Sequence, residues 1–249
     1  MAVLVIPARY GSRRLPGKPL LAETGKPLIL HVLERARAAS SVTRVIVATD
    51  DVRIRAAVES AGAEVFMTSP DHRCGTERVA EVARALPDEE QFVNLQGDEP
   101  ETDPTDVDIL VRTLAQDEVS IATLAAPIRS EEELDDPTVV KVVVSAGGDA
   151  LYFSRAPIPF SRDGDRHTPL LRHLGIYGFR RDALLTYARL PASGLERTEK
   201  LEQLRALEAG MRIRVATVAQ APPGIDTMET YRAFVRRHAA RSGEHERQG

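Results

Sequence analysis

The chain has 249 residues, 33 Lys+Arg against 37 Asp+Glu for a formal charge of −4, 43% hydrophobic content and a single cysteine, Cys74. That length suits one α/β domain burying roughly 70–75% of its unfolded surface, and this apolar content excludes a disordered chain. The charge gives no basic footprint for nucleic acid, the lone cysteine closes no internal disulfide, no apolar run reaches the ~20 residues of a membrane span, and the opening MAVLVIPARYG lacks the charged region of a signal peptide, so a cytoplasmic protein is expected.

Residues 3–6 (VLVI) form a short continuous apolar run, the pattern of a strand buried on both faces. A glycine- and arginine-rich loop, 7–18, follows, and Pro27 then opens a helix with Ile29, Val32, Leu33 and Ala36 at i, i+3, i+4 and i+7. Strands are expected at 45–48 and 64–67, separated by a helix capped at Asp50 or Asp51 and ending near Gly62. A helix over 76–86 turns Val79, Val82, Ala83 and Leu86 inward, with Thr76 as its cap. A strand at 92–95 ends in QGDEP, and Asp103-Pro104 starts the next helix as cap and first-turn proline. Further strands are expected at 119–125 and 139–144. This repetition of βα units predicts an α/β fold with a doubly wound, mostly parallel sheet.

Residues 154–171 break the pattern with three prolines and several charges, as a long functional or interfacial arm does. A strand (173–179), helices (181–188 and 195–209), a strand (212–218) and a helix (227–238) complete the chain. One domain over 1–240 is expected, with a polar tail over 241–249 that frays.

Five segments carry chemistry-bearing residues. The loop ARYGSRRLPGK brings Gly11, Gly17, Arg9, Arg13, Arg14 and Lys18 to the carboxyl end of the first strand, where open parallel sheets bind ligands. Glycines admit phosphate to backbone N–H groups and cations neutralise it, although Ser12 and Pro19 exclude a Walker A loop. Asp98-Glu99 follows the fourth strand at the same edge and suits Mg²⁺, which takes one or two carboxylates beside substrate phosphates; a plain polar turn fits the residues equally well. Asp226, with Glu229 three residues on, reads as the N-cap of a capping-box-like start. In DHRCGTER, His72, Arg73, Cys74, Gly75 and Thr76 precede a helix, and Cys74 has no evident base to make it a nucleophile. Later, Arg155, Arg172, His173 and Tyr177 precede Glu199, Glu202 and Gln203, which a helix places on one face; periodicity alone makes that face a solvated one. The six histidines show no zinc spacing.

PARYGSRRLPGKPL, VATDD, DHRCGTER, VNLQGDEP, LYFSRAPIP, LRHLGIYGF, LEQLR and GIDT stand in that order over nearly the whole chain. Together they resemble the 3-deoxy-manno-octulosonate (Kdo) cytidylyltransferases. The resemblance implies a domain of the nucleotide-sugar transferase (nucleotidyltransferase) type, a homodimer with the proline-rich arm as its dimerisation element, and Mg²⁺ as cofactor. The implied reaction transfers CMP from CTP to Kdo, releasing pyrophosphate, for lipopolysaccharide biosynthesis; a cytidylyltransferase for another sugar acid, an amino-Kdo or a nonulosonate, is the alternative. By the same resemblance Lys18, Arg14 and Asp98 are catalytic, and Arg9 joins Lys18 and Arg14 on the triphosphate. Pro7, Ala8, Arg9, Lys18, Arg73, Cys74, Gly75, Thr76 and Gln96 bind the nucleotide. Asp98 and Asp226 hold Mg²⁺, and Arg155, His173, Tyr177, Glu199 and Gln203 line the sugar-acid pocket. Arg13 departs from the small polar residue, usually Thr, expected there, and Cys74 stands where Ser is common.

Overall fold

The apolar runs assemble into a nine-stranded sheet, seen in a computed structural model that describes residues 1–12, 14–165 and 167–245. Its strands are β1 (Ala2–Ala8), β2 (Val42–Thr49), β3 (Glu64–Met67), β4 (Gln91–Asn94), β5 (Ile121–Pro127), β6 (Lys141–Val144), β7 (Ala150–Ser154), β8 (Leu171–Arg180) and β9 (Arg214–Thr217). The main path runs β3-β2-β1-β4-β8-β5-β9, with β6 paired to β7 and β8. The β1–β2, β1–β4, β2–β3 and β5–β9 pairs are parallel, while β8 runs antiparallel to β4, β5 and β6, and β7 antiparallel to β6. The expected doubly wound, largely parallel sheet is therefore present, with β8 reversed near its middle and β7 reversed beside β6.

All seven residues of β1 are buried because helices cover both faces. Leu4 and Ile6 point into one core with Ile29, Val32, Val107 and Leu110, from α1 (Leu28–Arg37) and α4 (Pro104–Leu114). Val3 and Val5 point into the other with Val79, Val82, Leu184 and Leu204, from α3 (Gly75–Ala85), α6 (Arg181–Tyr187) and α8 (Leu204–Glu208). This double coverage explains a run with no polar alternation. The caps of α2 (Val52–Ser60) and α4 are Asp51 and Asp103, whose carboxylates accept from Arg53 N and Thr105 N.

Local pattern misplaces four features. The α3 helix begins one residue earlier than expected, with Cys74 at the cap position; Thr76 turns inward instead, its hydroxyl donating to Glu202 Oε1 at 2.8 Å. Strand β7 and the short α5 (Glu131–Asp135) emerge from stretches without a clear period. The helix expected over 195–209 is two: α7 (Gly194–Glu199) stops at Lys200, whose φ of 55 is left-handed, and α8 starts at Leu204. Glu199 and Gln203 consequently do not share a helical face. Finally, α9 (Met228–His245) runs well past the expected end at 238 and into the segment expected to fray, while residues 246–249 lie outside the described part.

Helix α9 closes a third, small core in which Tyr231 and Phe234 meet Leu15, Leu28 and Ile225. His31 of α1 lies at this seam, its ring edge-on to Phe234 and His238 and its Nε2 2.7 Å from Thr24 Oγ1. Burial, with Lys26 and His238 nearby, lowers its pKa to about 4. The unfolded chain then binds the extra proton first, so the His31 contribution is complete above about pH 6.5 and is lost as pH falls toward 4. Buried Glu99 and Asp106, raised to about 8 and about 6, act in the opposite sense and cost stability as pH rises. The measurement is therefore a difference: the melting temperature of the native chain minus that of His31→Leu should shrink between pH 6.5 and 5. A constant difference over that interval would refute the assignment.

Candidate active site

Beyond β1 the chain folds back on itself: Ser12 N and Gly17 N both donate to Tyr10 O, at 2.9 and 3.0 Å. Gly17 has φ 71, and a Cβ there would stand 3.2 Å from the Tyr10 ring, so only glycine gives this turn without strain. The turn delivers Lys18 to the carboxyl edge of the sheet, opposite the loop that follows β4. Lys18 Nζ lies 2.6 Å from Asp98 Oδ2, 2.7 Å from Ile225 O and 3.5 Å from Asp226 Oδ1. Arg14 Nη2 reaches Asp226 Oδ1 at 2.8 Å. Residues 18, 98 and 226, far apart in sequence, thus form one knot in which two carboxylates bracket an ammonium.

Asp226 is not the helix cap. Thr227 takes that role, its Oγ1 accepting from Thr230 N at 3.2 Å and its carbonyl from Tyr231 N at 3.0 Å. The Asp226 carboxylate is thereby left to face Lys18 and Arg14. Three-ligand clusters of His, Cys, Asp or Glu are absent among the described residues. Asp98 and Asp226, already either side of a cation, fit a hard ion that draws its remaining oxygens from a phosphorylated ligand and water, as Mg²⁺ does.

The knot stands at one end of a cleft of about 440 Å³. Of the residues singled out in the sequence, Pro7, Ala8, Arg9, Arg14, Lys18, Cys74, Gly75, Gln96, Asp98 and Asp226 line it. At the far end three segments press together. A Cβ on Gly75 would meet the Pro7 ring at 3.1 Å and Gln96 Oε1 at 3.3 Å, and one on Gly97 would meet Pro7 O at 3.1 Å. The glycines thus let the three segments touch and form a continuous floor to that end of the cleft. A hydrogen-bond chain runs inward from it: Gln96 Nε2 donates to Asn94 Oδ1 (3.1 Å), Asn94 Nδ2 to Thr76 Oγ1 (3.2 Å), and Thr76 to Glu202. Burial, reinforced by the Glu202 carboxylate, pushes the Cys74 thiol well above its ordinary pKa, so it is no nucleophile.

Two expected nucleotide residues lie elsewhere. Arg73 turns back along α3, its Nε 2.8 Å from Glu77 Oε1, and Thr76 sits behind the cleft in the chain just described. Arg13 lies outside the described residues. The sugar-acid set is not gathered around one cavity. Arg155 caps the broken helix: its Nε donates to Glu199 O at 2.7 Å and its Nη1 to Pro137 O at 2.8 Å. The Glu199 carboxylate in turn accepts from Ser154 Oγ (2.6 Å) and Arg155 N (3.0 Å). His173 is enclosed, 2.9 Å from Thr123 Oγ1, and burial lowers its pKa to about 3. Tyr177 and Gln203 do meet, in a crevice shared with Thr76 and Glu202, where the Tyr177 hydroxyl and Glu202 Oε2 are buried without a partner. His72, named with the DHRCGTER segment, also lines the cleft, whereas pattern reasoning gave no site role to Ser12, Arg78 and Gly97, which line it too. Arg78 is the most telling: 4% exposed, it spans from Thr68 to Asp50 Oδ2 (3.2 Å), and its only sequence signal is a charge on the inward face of α3.

Residues 3–213 match the cytidylyltransferase family. The chain is 50% identical over 226 residues to a 3-deoxy-manno-octulosonate cytidylyltransferase of Solibacter usitatus (strain Ellin6076), an alignment covering 90% of this chain and 89% of that one. It is 48% identical to an 8-amino-3,8-dideoxy-manno-octulosonate cytidylyltransferase of Shewanella woodyi (strain ATCC 51908 / MS32), covering 92% and 95%. A solved structure of CMP:2-keto-3-deoxy-manno-octonic acid synthetase complexed with CTP superposes with a TM-score of 0.92 at 47% identity, over 96% of this chain and 99% of that one.

Proposed function

The chain belongs to the cytidylyltransferase family, among the 3-deoxy-manno-octulosonate cytidylyltransferases, and from that membership we infer how its cleft works. The enzyme transfers CMP from CTP to Kdo, giving CMP-Kdo and pyrophosphate. The observation that carries the assignment to this cleft is the Lys18–Asp98–Asp226 knot at one end and the packed Pro7–Gly75–Gln96 floor at the other.

Cytosine lies against the floor formed by Pro7, Gly75 and Gln96, with the Ala8 and Arg9 backbone along its edge. The triphosphate extends toward Lys18, Arg14 and Arg9, whose charges neutralise its oxygens. Asp98 and Asp226 hold Mg²⁺, which when bound supplies a Lewis acid that neutralises charge building on the phosphate. Lys18 then exchanges its carboxylate partners for phosphate oxygens. No covalent nucleophile is needed: the chain holds the sugar hydroxyl in line with the α-phosphorus and steadies the departing pyrophosphate. The crevice of Tyr177 and Gln203 is too small for a sugar as it stands, and a Kdo hydroxyl would pair with the unpartnered Tyr177 hydroxyl only once it opens. Arg155 would have to leave the α7 carbonyls to meet the sugar carboxylate. The proline-rich arm leaves Phe160 86% exposed, with Leu151 of the preceding strand at 61%, and we place a homodimer contact there. No helix among the described residues is long and apolar enough to cross a membrane; a cytoplasmic site of action fits an enzyme that draws on CTP.

Pyrophosphate release from CTP with Kdo, run beside the 8-amino sugar at matched CTP, tests the reading. Release with neither sugar overturns the function, and faster release with the amino sugar moves the substrate to the alternative. Lys18→Met removes the point charge while roughly keeping the stem. Losing a charge-assisted contact of ~1.5–3 kcal/mol should raise the KM for CTP by roughly 10- to 150-fold, with little change for Kdo. A larger change for Kdo would put Lys18 at the wrong end of the cleft.

A further inference from the structure

Helix α9 begins directly after Asp226, and its later turns return to the loop that carries Asp98. Glu101, three residues beyond Asp98, is only 6% exposed at its side chain. Its carboxylate accepts from Arg237 Nε at 3.0 Å and pairs with Arg241 Nη2 at 3.0 Å, residues one turn apart on α9. The intervening loop is stiff: Glu99 N donates to Gln96 O, Thr102 N to Glu99 O, and Arg35 Nε to Thr102 O at 2.8 Å. At the other end of the helix, Ile225 N donates to Asp98 O at 2.9 Å while Ile225 O receives Lys18 Nζ. The α9 helix therefore runs from the Asp98–Asp226 knot to Glu101, fastened at its head by the Ile225 stitch and ~14 Å further along its axis by the arginines.

We propose that Glu101 and Arg237 are positioning residues that set the separation of Asp98 and Asp226 through the seating of α9, without touching substrate. This rests on the reading of those two aspartates as metal ligands. Exposed ion pairs contribute little, but Glu101 is nearly enclosed, and an enclosed carboxylate without its partners pushes its surroundings apart. Turning the helix about its apolar contacts at Tyr231 and Phe234 would carry Asp226 away from Asp98. Lys18, held by both Asp98 Oδ2 and Ile225 O, would lose one of the two.

The test compares Glu101→Gln, Arg237→Met and Arg237→Lys with the native enzyme by amide hydrogen exchange and by the Mg²⁺ needed for half-maximal turnover at saturating CTP and Kdo. The Ile225 amide and the first turn of α9 should exchange roughly 2- to 30-fold faster in Glu101→Gln and Arg237→Met. The Mg²⁺ requirement should rise within the same range, the KM for Kdo should hold, and Arg237→Lys should recover most of both. Native exchange at Ile225 with a native Mg²⁺ requirement overturns the proposal, and so does a uniform rise in exchange across the sheet with a lowered melting temperature, which marks a stability effect. Asp98→Ala runs alongside: an unchanged Mg²⁺ requirement in that variant defeats the metal reading itself, while exchange at Ile225 still decides the role of Glu101.

Discussion

Asp98→Ala lowers turnover by about 10²–10³-fold while leaving the fold in place, an expectation that follows from where its carboxylate stands. It is 2.6 Å from Lys18 Nζ and 29% exposed, at the edge of the sheet and outside both large cores. Its removal costs no apolar packing, and the Asp98 backbone still receives Ile225 N. What is lost is one of the two carboxylates proposed to hold Mg²⁺ against the phosphates. A lost electrostatic contact of ~3–4 kcal/mol in the transition state corresponds to that factor. Single-turnover measurements at saturating Mg²⁺ and CTP read it directly, and a kcat within a few-fold of native would remove Asp98 from the chemistry.

Asp226→Asn separates charge from structure more cleanly than the sequence alone allows. Read as a cap, Asp226 would tolerate Asn, which caps about as well. The cap is Thr227, so the substitution leaves the first turn of α9 intact. The ion pair with Arg14 is 64% and 48% exposed at its two side chains and contributes little to stability. The melting temperature is expected to move by no more than ~2 °C. The kcat is expected to drop by about 10²-fold, because the neutral amide keeps the shape but surrenders the charge proposed to hold Mg²⁺. Scanning calorimetry and turnover on the same preparation give both numbers. Native turnover would show that the position needs only an oxygen, and a large fall in melting temperature would return it to a structural role.

Much of the first half of the fold is readable because β1 is a continuous apolar run and two helix starts, at Asp51 and Asp103, carry their own side-chain caps. The cleft was readable for a related reason: parallel strands deliver their loops to one edge, so the segments after β1 and β4 had to meet. The break at Lys200 was not readable. Leucines at 201, 204 and 207 continue the helical period across it, and Lys200 is the one non-glycine residue at positive φ among those described. What holds the break is Arg155, donating to Glu199 O from 44 positions upstream, and no local window contains that contact. The same blindness hides how the sugar-acid set is arranged. Arg155 and Glu199, two of its five members, are joined to each other, with the guanidinium on one helix end and the carboxylate on the backbone of Arg155. Thr227 failed for a smaller reason: two adjacent capping residues, Asp and Thr, look alike in a sequence, and only the position of Thr230 decides between them.

The reversed strand β8 imposes an order on the birth of the molecule. Strand β5 is buried along nearly its whole length, yet its partners are β8 and β9, both made later. The β1–β4 sheet closes from contiguous βα units as soon as they emerge, but β5 must wait, with both edges bare, until residue 180 has left the ribosome. A growing chain paused anywhere between residues 127 and 171 displays an apolar strand with no neighbour, the state in which chains find one another instead of themselves. A slow passage of the ribosome through that stretch is therefore expected to lower the yield of folded chain.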